Sequence, residues 1–292
     1  MELTRRKFTQ AGALAGAAAL MAASPMRGFA DAPMTAQELV NKITAIMGPA
    51  WNPASVRDTF KMGDPNTRVQ GVAACFMSTF DVIKRAQAKG LNFVITHEPT
   101  MWTDADLLPG VEHDPLFKLK LEFVNDHKMI VWRTHDSLHR MRPEPMITAE
   151  NKKLGWDKFT APGDAKTYEF SPAMTLREVV GEYVEKVPTN SVRVIGDPDL
   201  MVASATQCGH GCVQNVEGLE QYDATLSIEA REWETAEYGR DLVATGARKA
   251  MIICSHESGE ENMMQWYTGW FQQQFPGTRI EFVPTGDRMW TL

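Results

Sequence analysis

The sequence predicts an α/β protein, and three observations carry that expectation. Short runs of β-branched and apolar residues alternate with stretches whose apolar positions recur at helical spacing. Hydroxyl residues followed three places on by Glu mark helix starts at Thr35 and Thr175. Three histidine-bearing polar clusters each fall directly past an apolar run, where open α/β sheets carry ligands and catalytic groups.

Each element follows from local signals. Thr35-Ala36-Gln37-Glu38 reads as a capping box for a helix with Leu39, Val40, Ile43 and Met47 on one face. A strand is expected over 69–76, then a helix capped by Ser78 that runs to Lys89 and stops at Gly90. Residues 92–96 (NFVIT) read as a buried strand, and His97-Glu98-Pro99 begins at its C-terminal end. A helix over 115–126 and a strand over 129–132 (MIVW) follow, and the cluster Thr134-His135-Asp136-Ser137-Leu138-His139 comes just past that strand. Residues 140–173 lack a periodic pattern and hold Pro143, Pro145, Pro162 and Pro172, so they are expected to connect two lobes, 34–165 and 166–292. Thr175 opens a helix to about 186; strands are expected over 191–195, 202–205 and 224–228, a helix over 232–245 and a last inner strand over 249–255. His256-Glu257-Ser258-Gly259-Glu260 comes directly after it, so all three clusters occupy the same kind of place.

Residues 1–30 read as a twin-arginine export signal. Arg5 and Arg6 follow Thr4 and precede Phe8, a modest apolar stretch covers 11–23, and Gly28-Phe29-Ala30 is a small-residue cleavage site. The stretch is too short for a bilayer span of roughly 20 residues, and no Cys follows it to take a lipid anchor. A periplasmic or secreted product without membrane anchoring is expected. Because this route carries folded proteins, a metal site can be filled before export.

The charge of −7 becomes three units more negative once residues 1–30 are removed, because Arg5, Arg6, Lys7 and Arg27 leave with only Glu2. That acidity argues against nucleic acid, which needs a basic stripe. Four cysteines are too few for a disulfide scaffold at this length. Cys75 and Cys254 lie inside apolar runs, whereas Cys208 and Cys212 flank Gly209-His210-Gly211 and leave a disulfide, a soft metal site or a redox loop open.

The strand-end clusters offer His97, Glu98, His135, Asp136, His139, His256, Glu257, Glu260 and Glu261. Mixed imidazole and carboxylate donors suit Zn, Mn, Fe or Co and do not suit Ca. His256 and Glu260, four apart, share a face if the chain turns helical after the strand.

Four segments carry a resemblance. NFVITHEPTMW is similar to the strand and Thr-His-His-Pro segment of the NIF-three-like family, also called the GTP cyclohydrolase type 2-like dinuclear metal proteins. THDSLH resembles its His-Thr-Asn-Leu-Asp segment, LSIEAREW its Thr-Gly-Glu segment and CSHESGE its Gly-His-x-x-x-Glu segment, in the family's order. The resemblance implies two interlinked α/β lobes with mixed sheets and a metal site between them at strand C-terminal ends. Carried over by position, the ligands are His97, Glu98, His139, His256 and Glu260, holding two divalent transition-metal ions, Zn, Fe or Mn. Two departures compensate: Glu98 stands for the family's second His and His139 for its Asp, which keeps three imidazoles and two carboxylates. Trp233 stands where the family often has a histidine.

Such a site is expected to hydrolyse a small molecule, with Glu229 or Glu257 as the base or water-steering group and Glu261 as a further candidate. A metal-binding or metal-handling protein without turnover is the alternative. The resemblance also implies a ring-shaped homo-oligomer, a hexamer.

Overall fold

The computed structural model describes residues 34–286 apart from Pro162, Pro188, Asn190 and Ser191. The export-signal reading at 1–30 lies outside the described residues. Within them the chain forms two mixed sheets, each covered on both faces.

The first sheet is built by local signals that mostly match the sequence pattern. Helix α1 (Ala36–Met47) starts in the expected capping box, with both reciprocal bonds between Thr35 and Glu38 present. A short strand β1 (Phe60–Met62) precedes β2 (Val72–Cys75), α2 (Phe80–Ala88), β3 (Phe93–Thr96), α3 (Pro115–Asp126) and β4 (Ile130–Arg133). Thr79 rather than Ser78 caps α2, its hydroxyl accepting from the Val82 amide. Ser78 is instead paired with the Thr100 hydroxyl at 2.9 Å. Two βα units in succession give parallel pairing of β2, β3 and β4, in register through Ala74, Ile95 and Trp132.

Residues 140–173 are not a featureless connector. After the short α4 (Asp136–Arg140), helix α5 (Pro145–Leu154) begins with Pro145 at its first position, where the missing N–H removes no helical bond. Its stripe was illegible because the buried face includes Glu150 and Asn151 among Met146, Ile147 and Leu154. Strands β5 (Thr160–Ala161) and β6 (Asp164–Thr175) follow, the latter irregular between Glu169 and Met174, around Pro172.

The second sheet then adds α6 (Leu176–Lys186), opened by the Thr175–Glu178 capping box, and β7 (Arg193–Ile195), β8 (Met201–Cys208), α7 (Cys212–Gln221), β9 (Ala224–Ile228), α8 (Thr235–Ala244) and β10 (Ala250–Cys254). Its order is β5-β6-β8-β9-β10-β7, parallel from β8 to β10 and antiparallel outside. Cys208, Ser227 and Ile253 lie in register, so these three parallel strands end at one edge.

Helix α9 (His256–Gln274) ties the sheets together. It starts where β10 ends, yet Met263, Met264, Tyr267 and Phe271 are buried against Val72, Ala74, Phe93 and Ile95 of the first sheet. The chain then closes that sheet with β11 (Ile280–Phe282), parallel to β2, giving the order β1-β4-β3-β2-β11. The lobes are interlinked because the C-terminal stretch belongs to the first sheet. Near its start α9 approaches β9 so closely that a Cβ at Gly259 would lie 2.9 Å from Ile228 Cγ1. Among the described residues no helix is long and apolar enough to cross a membrane.

Glu150 illustrates what this arrangement buries. Its Oε2 accepts from Asn262 Nδ2 at 3.1 Å, and burial pushes its carboxyl up to about 7. The folded state therefore keeps a proton that the unfolded chain has lost, and stability falls as pH rises through that window. Glu150→Gln removes the titration. It should unfold in urea with a free energy roughly 2–3 kcal/mol above wild type at pH 8 and near wild type at pH 5; equal differences at the two pH values would refute the assignment.

Candidate metal centre

The site forms where the C-terminal ends of β3, β4 and β10 meet the first turn of α9. His97 follows β3 and is fully buried, its amide near the Cys75 and Phe76 carbonyls, both at 3.2 Å. Parallel pairing puts Thr134 beside it, and the Thr134 carbonyl meets His97 Nδ1 at 3.1 Å. Past Thr134 the short α4 presents His135 and His139 on successive turns. Asp58 clamps that turn: its carboxylate accepts the amides of His135, Asp136 and Ser137, and the Ser137 hydroxyl. From the other sheet, Ser255 caps α9 by accepting from the Ser258 amide, which sets His256 and Glu260 one turn apart on one face.

The donor atoms converge. His97, His135 and His139 offer nitrogens within 4.8 Å of one another, and His97, Glu98 and Glu260 do the same. His97 belongs to both groups, so the two sets of donors meet at one buried imidazole. His256 Nε2 lies 3.2 Å from Glu260 Oε2 and 3.6 Å from Glu98 Oε1. The five sequence-derived ligand positions 97, 98, 139, 256 and 260 are thus brought together, joined by His135, whose ring stacks on His97 with centroids 4.5 Å apart. The two sheets both contribute, so the cluster bridges the lobes.

Two features fit donors gathered around a common point. Buried His97 Nε2, Glu98 Oε1 and Glu260 Oε2 have no aligned hydrogen-bond partner, although His97 Nε2 and Glu260 Oε2 are 3.1 Å apart. Leaving such atoms unsatisfied costs about 1–3 kcal/mol each. Glu98 Oε1 sits 3.7, 3.5 and 3.6 Å from the Nε2 atoms of His97, His135 and His256, beyond good hydrogen bonds. Donors bound at about 2.0–2.2 Å to one ion stand roughly 3–4 Å apart, so the spacing fits. In addition, every imidazole of the cluster has its Nδ1 on an oxygen: Thr134 for His97, Asp136 for His135 at 2.9 Å, Glu144 for His139 at 2.8 Å and Glu229 for His256 at 3.1 Å. That outer contact orients the ring and leaves Nε2 for an ion.

Protonation differs among the imidazoles, and one that is raised must shed its proton before an ion can bind. Burial, then the neighbouring His97, lowers the His135 imidazole to about 3, which keeps it neutral and available as a ligand. Burial would also lower His256, but Glu229 and Glu260 outweigh it and raise that imidazole to about 10. Burial opposes ionisation of Glu260 too, and the adjacent His256 and His97 overcome it, holding its carboxyl well below the usual range. Beneath the cluster lies Arg133, fully buried at the end of β4. It donates to the His97 carbonyl at 2.8 Å and to Glu98 Oε2 at 3.3 Å, so one guanidinium positions two donors and leaves Glu98 Oε1 facing inward.

The other expected residues fall outside this first circle. Glu229 acts through His256; its backbone has φ 61, the left-handed region, at the turn after β9. Glu257 opens α9 but belongs to neither donor group. Glu261 turns to the far side, where its carboxylate accepts from the Thr285 amide. Trp233 is 71% exposed. Cys208 and Cys212 are free thiols. Sequence reasoning passed over Asp58, Arg133 and Glu144. Arg133 carried a signal, a charged residue ending the apolar run IVWR, whereas Asp58 had none.

Donor types, spacing and orphaned atoms fit two divalent transition-metal ions, with Glu98 beside His97, His135 and His256 and Glu260 beside His97 and His256. Comparison with known proteins places the fold. Residues 34–286 match the family described as Duf34/NIF3 (NGG1p interacting factor 3). A curated relative, the GTP cyclohydrolase 1 type 2 homolog of Clostridium acetobutylicum, is 25% identical over 167 residues, covering 52% of this chain and 61% of that protein. Among solved structures, Staphylococcus aureus hypothetical protein SA1388 superposes with TM-score 0.71 at 15% identity, over 89% of this chain and 100% of that one. A Bacillus cereus protein related to NIF3 gives TM-score 0.71 at 10% identity, over 88% and 99%. HcgD from Methanocaldococcus jannaschii gives 0.64 at 14%, over 86% and 98%. At these identities the structures show the fold alone.

The Arg133 arrangement is open to test. Arg133→Met leaves Glu98 without its buried cation, and Asp106 with Lys61 alone, and should lower the unfolding free energy of metal-free protein by about 3–5 kcal/mol in urea. A variant as stable as wild type would remove Arg133 from this role.

Proposed function

This chain belongs to the Duf34/NIF3 family, and from that premise we propose that it is a dinuclear metal-dependent hydrolase of a small molecule. The observation that carries the reading is the set of inward, unpartnered donors on one side and partial exposure on the other. His97, Glu98 and Glu260 are buried, while the His135, His139 and His256 side chains are 21, 27 and 21% exposed. A storage site would be closed by protein on all sides, whereas a catalytic one keeps an open position. Two bound ions would supply Lewis-acid and water-activating chemistry. Arg133 holds Glu98 so that one oxygen faces the cluster, and Glu229 orients His256 from the solvent side. Glu229 is held below the usual carboxylate range, first by its bond to His256, so it is ionised and acts by orienting and charging that imidazole.

Metal content is the direct test. Purified wild type should carry about two transition-metal ions per chain, and His97→Ala and Glu260→Ala should carry one or none. Wild type without such metal would remove the proposal. Phosphoesters, amides and cyclic amides assayed with and without chelator separate the classes: chelator-sensitive turnover supports a hydrolase, and metal without turnover supports the binding protein.

We also propose that the chain leaves the cytoplasm folded, by the twin-arginine route, on the strength of Arg5, Arg6 and the apolar stretch after them. Replacing both arginines by lysine should keep the protein in the cytoplasm at full length. Unchanged fractionation of that variant would sink the export reading and leave the metal site untouched.

A further inference from the structure

The motif Cys208-Gly209-His210-Gly211-Cys212 belongs to neither donor group, yet it stands at the rim of the centre. Strands β8, β9 and β10 are parallel neighbours in register, and their C-terminal ends deliver His210, Glu229 and His256 to one edge. The His210 ring lies 5.5 Å from that of His256, tilted by 46°. The four inner imidazoles each have one nitrogen tied to an oxygen; His210 is exposed and makes no hydrogen bond among the described residues.

The turn that carries it is held in place. Buried Asn215 donates from Nδ2 to the Gly209 carbonyl at 3.1 Å and the Gly211 carbonyl at 3.0 Å, bracketing His210 on both sides. The flanking thiol is not a nucleophile: Cys208 Sγ is 3.4 Å from the Gln214 carbonyl, and burial pushes it up to about 11. The loop's exposed group is the His210 imidazole, with Cys212 half-buried at the start of α7. A second donor stands near it. Behind the bond to His256, both His210 and Arg231 act electrostatically on the Glu229 carboxylate, and the Arg231 guanidinium lies 5.8 Å from the exposed Trp233 ring. The solvent side of the centre thus carries the braced His210 imidazole and the exposed Arg231, whose Nη1 donates to Glu234 at 3.0 Å and leaves its other N–H groups for a ligand.

We propose that His210 is the ligand-facing imidazole of this site and hydrogen-bonds an oxyanion of the bound small molecule, with Arg231 as a second contact. The inference rests on the hydrolase reading and narrows it to substrates with an anionic oxygen group, phosphate or carboxylate, beside the bond to be cleaved. His210 contacts the ligand; it does not hold an ion.

The test uses the full chain loaded with zinc, desalted and analysed for metal, then titrated by calorimetry with inorganic phosphate and separately with acetate. Wild type should bind one or both anions. His210→Ala, an exposed change, should weaken that binding about tenfold, the loss expected for one charge-assisted hydrogen bond. Its zinc content should equal wild type, and Cys212→Ser should leave the anion affinity unchanged. Affinity within twofold of wild type in His210→Ala overturns the proposal. So does loss of zinc from that variant, which would make His210 an ion ligand, and so does wild type that binds neither anion. Wild type that retains neither zinc nor, in parallel loadings, iron or manganese overturns the hydrolase reading as well, and the metal analysis registers that before any titration.

Discussion

Helix α9 is the constraint on which the site depends. It leaves the second sheet at Cys254 and buries Met263, Met264, Tyr267 and Phe271 in the core of the first, so a single rigid element sets the distance between the two sheets. A cluster whose members sit on different sheets needs such a strut. Apolar packing a turn or two further along the helix brings Glu260 Oε2 to 3.1 Å from His97 Nε2, where the imidazole also favours the ionised carboxylate. The close approach at Gly259 to Ile228 serves the same end, because a side chain there would push the first turn of α9, and Glu260 with it, off the edge.

Given that strut, the chemistry of the centre is set by its outer contacts. Buried ionisable groups are expensive unless paired, and here nearly every pairing also aims a ligand. Asp58 satisfies the start of α4 and so fixes His135 and His139; Glu144 and Glu229 take the outer nitrogens of His139 and His256; Arg133 holds the backbone of His97 and the carboxylate of Glu98. The inward atoms are what remains after these demands are met. Pre-orientation of this kind means that ions would meet donors already placed, with little ordering left to do.

The carboxylate at position 98 and the imidazole at position 139 become intelligible in this setting. A carboxylate at position 98 needs a cation behind it, and Arg133 provides one from the neighbouring strand. An imidazole at position 139 needs an acceptor for its second nitrogen, and Glu144 provides that from the turn before α5. With His135 included, the centre offers four imidazoles and two carboxylates, a more nitrogen-rich set than the one carried over by resemblance.

Much was legible in the sequence because it depends on neighbours in the chain. Capping boxes at Thr35 and Thr175, the buried strands at 93–96 and 224–228, and the arrival of three histidine clusters just past strands are local facts, decided by hydrogen-bonding at helix starts and by apolar periodicity. Helix α5 escaped notice since its buried face carries Glu150 and Asn151, whose partners come from elsewhere in the fold, and β1 and β11 were missed because three residues hold no readable period. Only tertiary structure could decide that β11 returns to the first sheet, that Asp58 reaches a turn 77 residues away, or that His135 joins the cluster while Glu261 turns away from it. Those outcomes are set by how helices and sheets pack across long stretches of chain, and a side chain's direction there depends on surfaces that do not exist until both partners have folded.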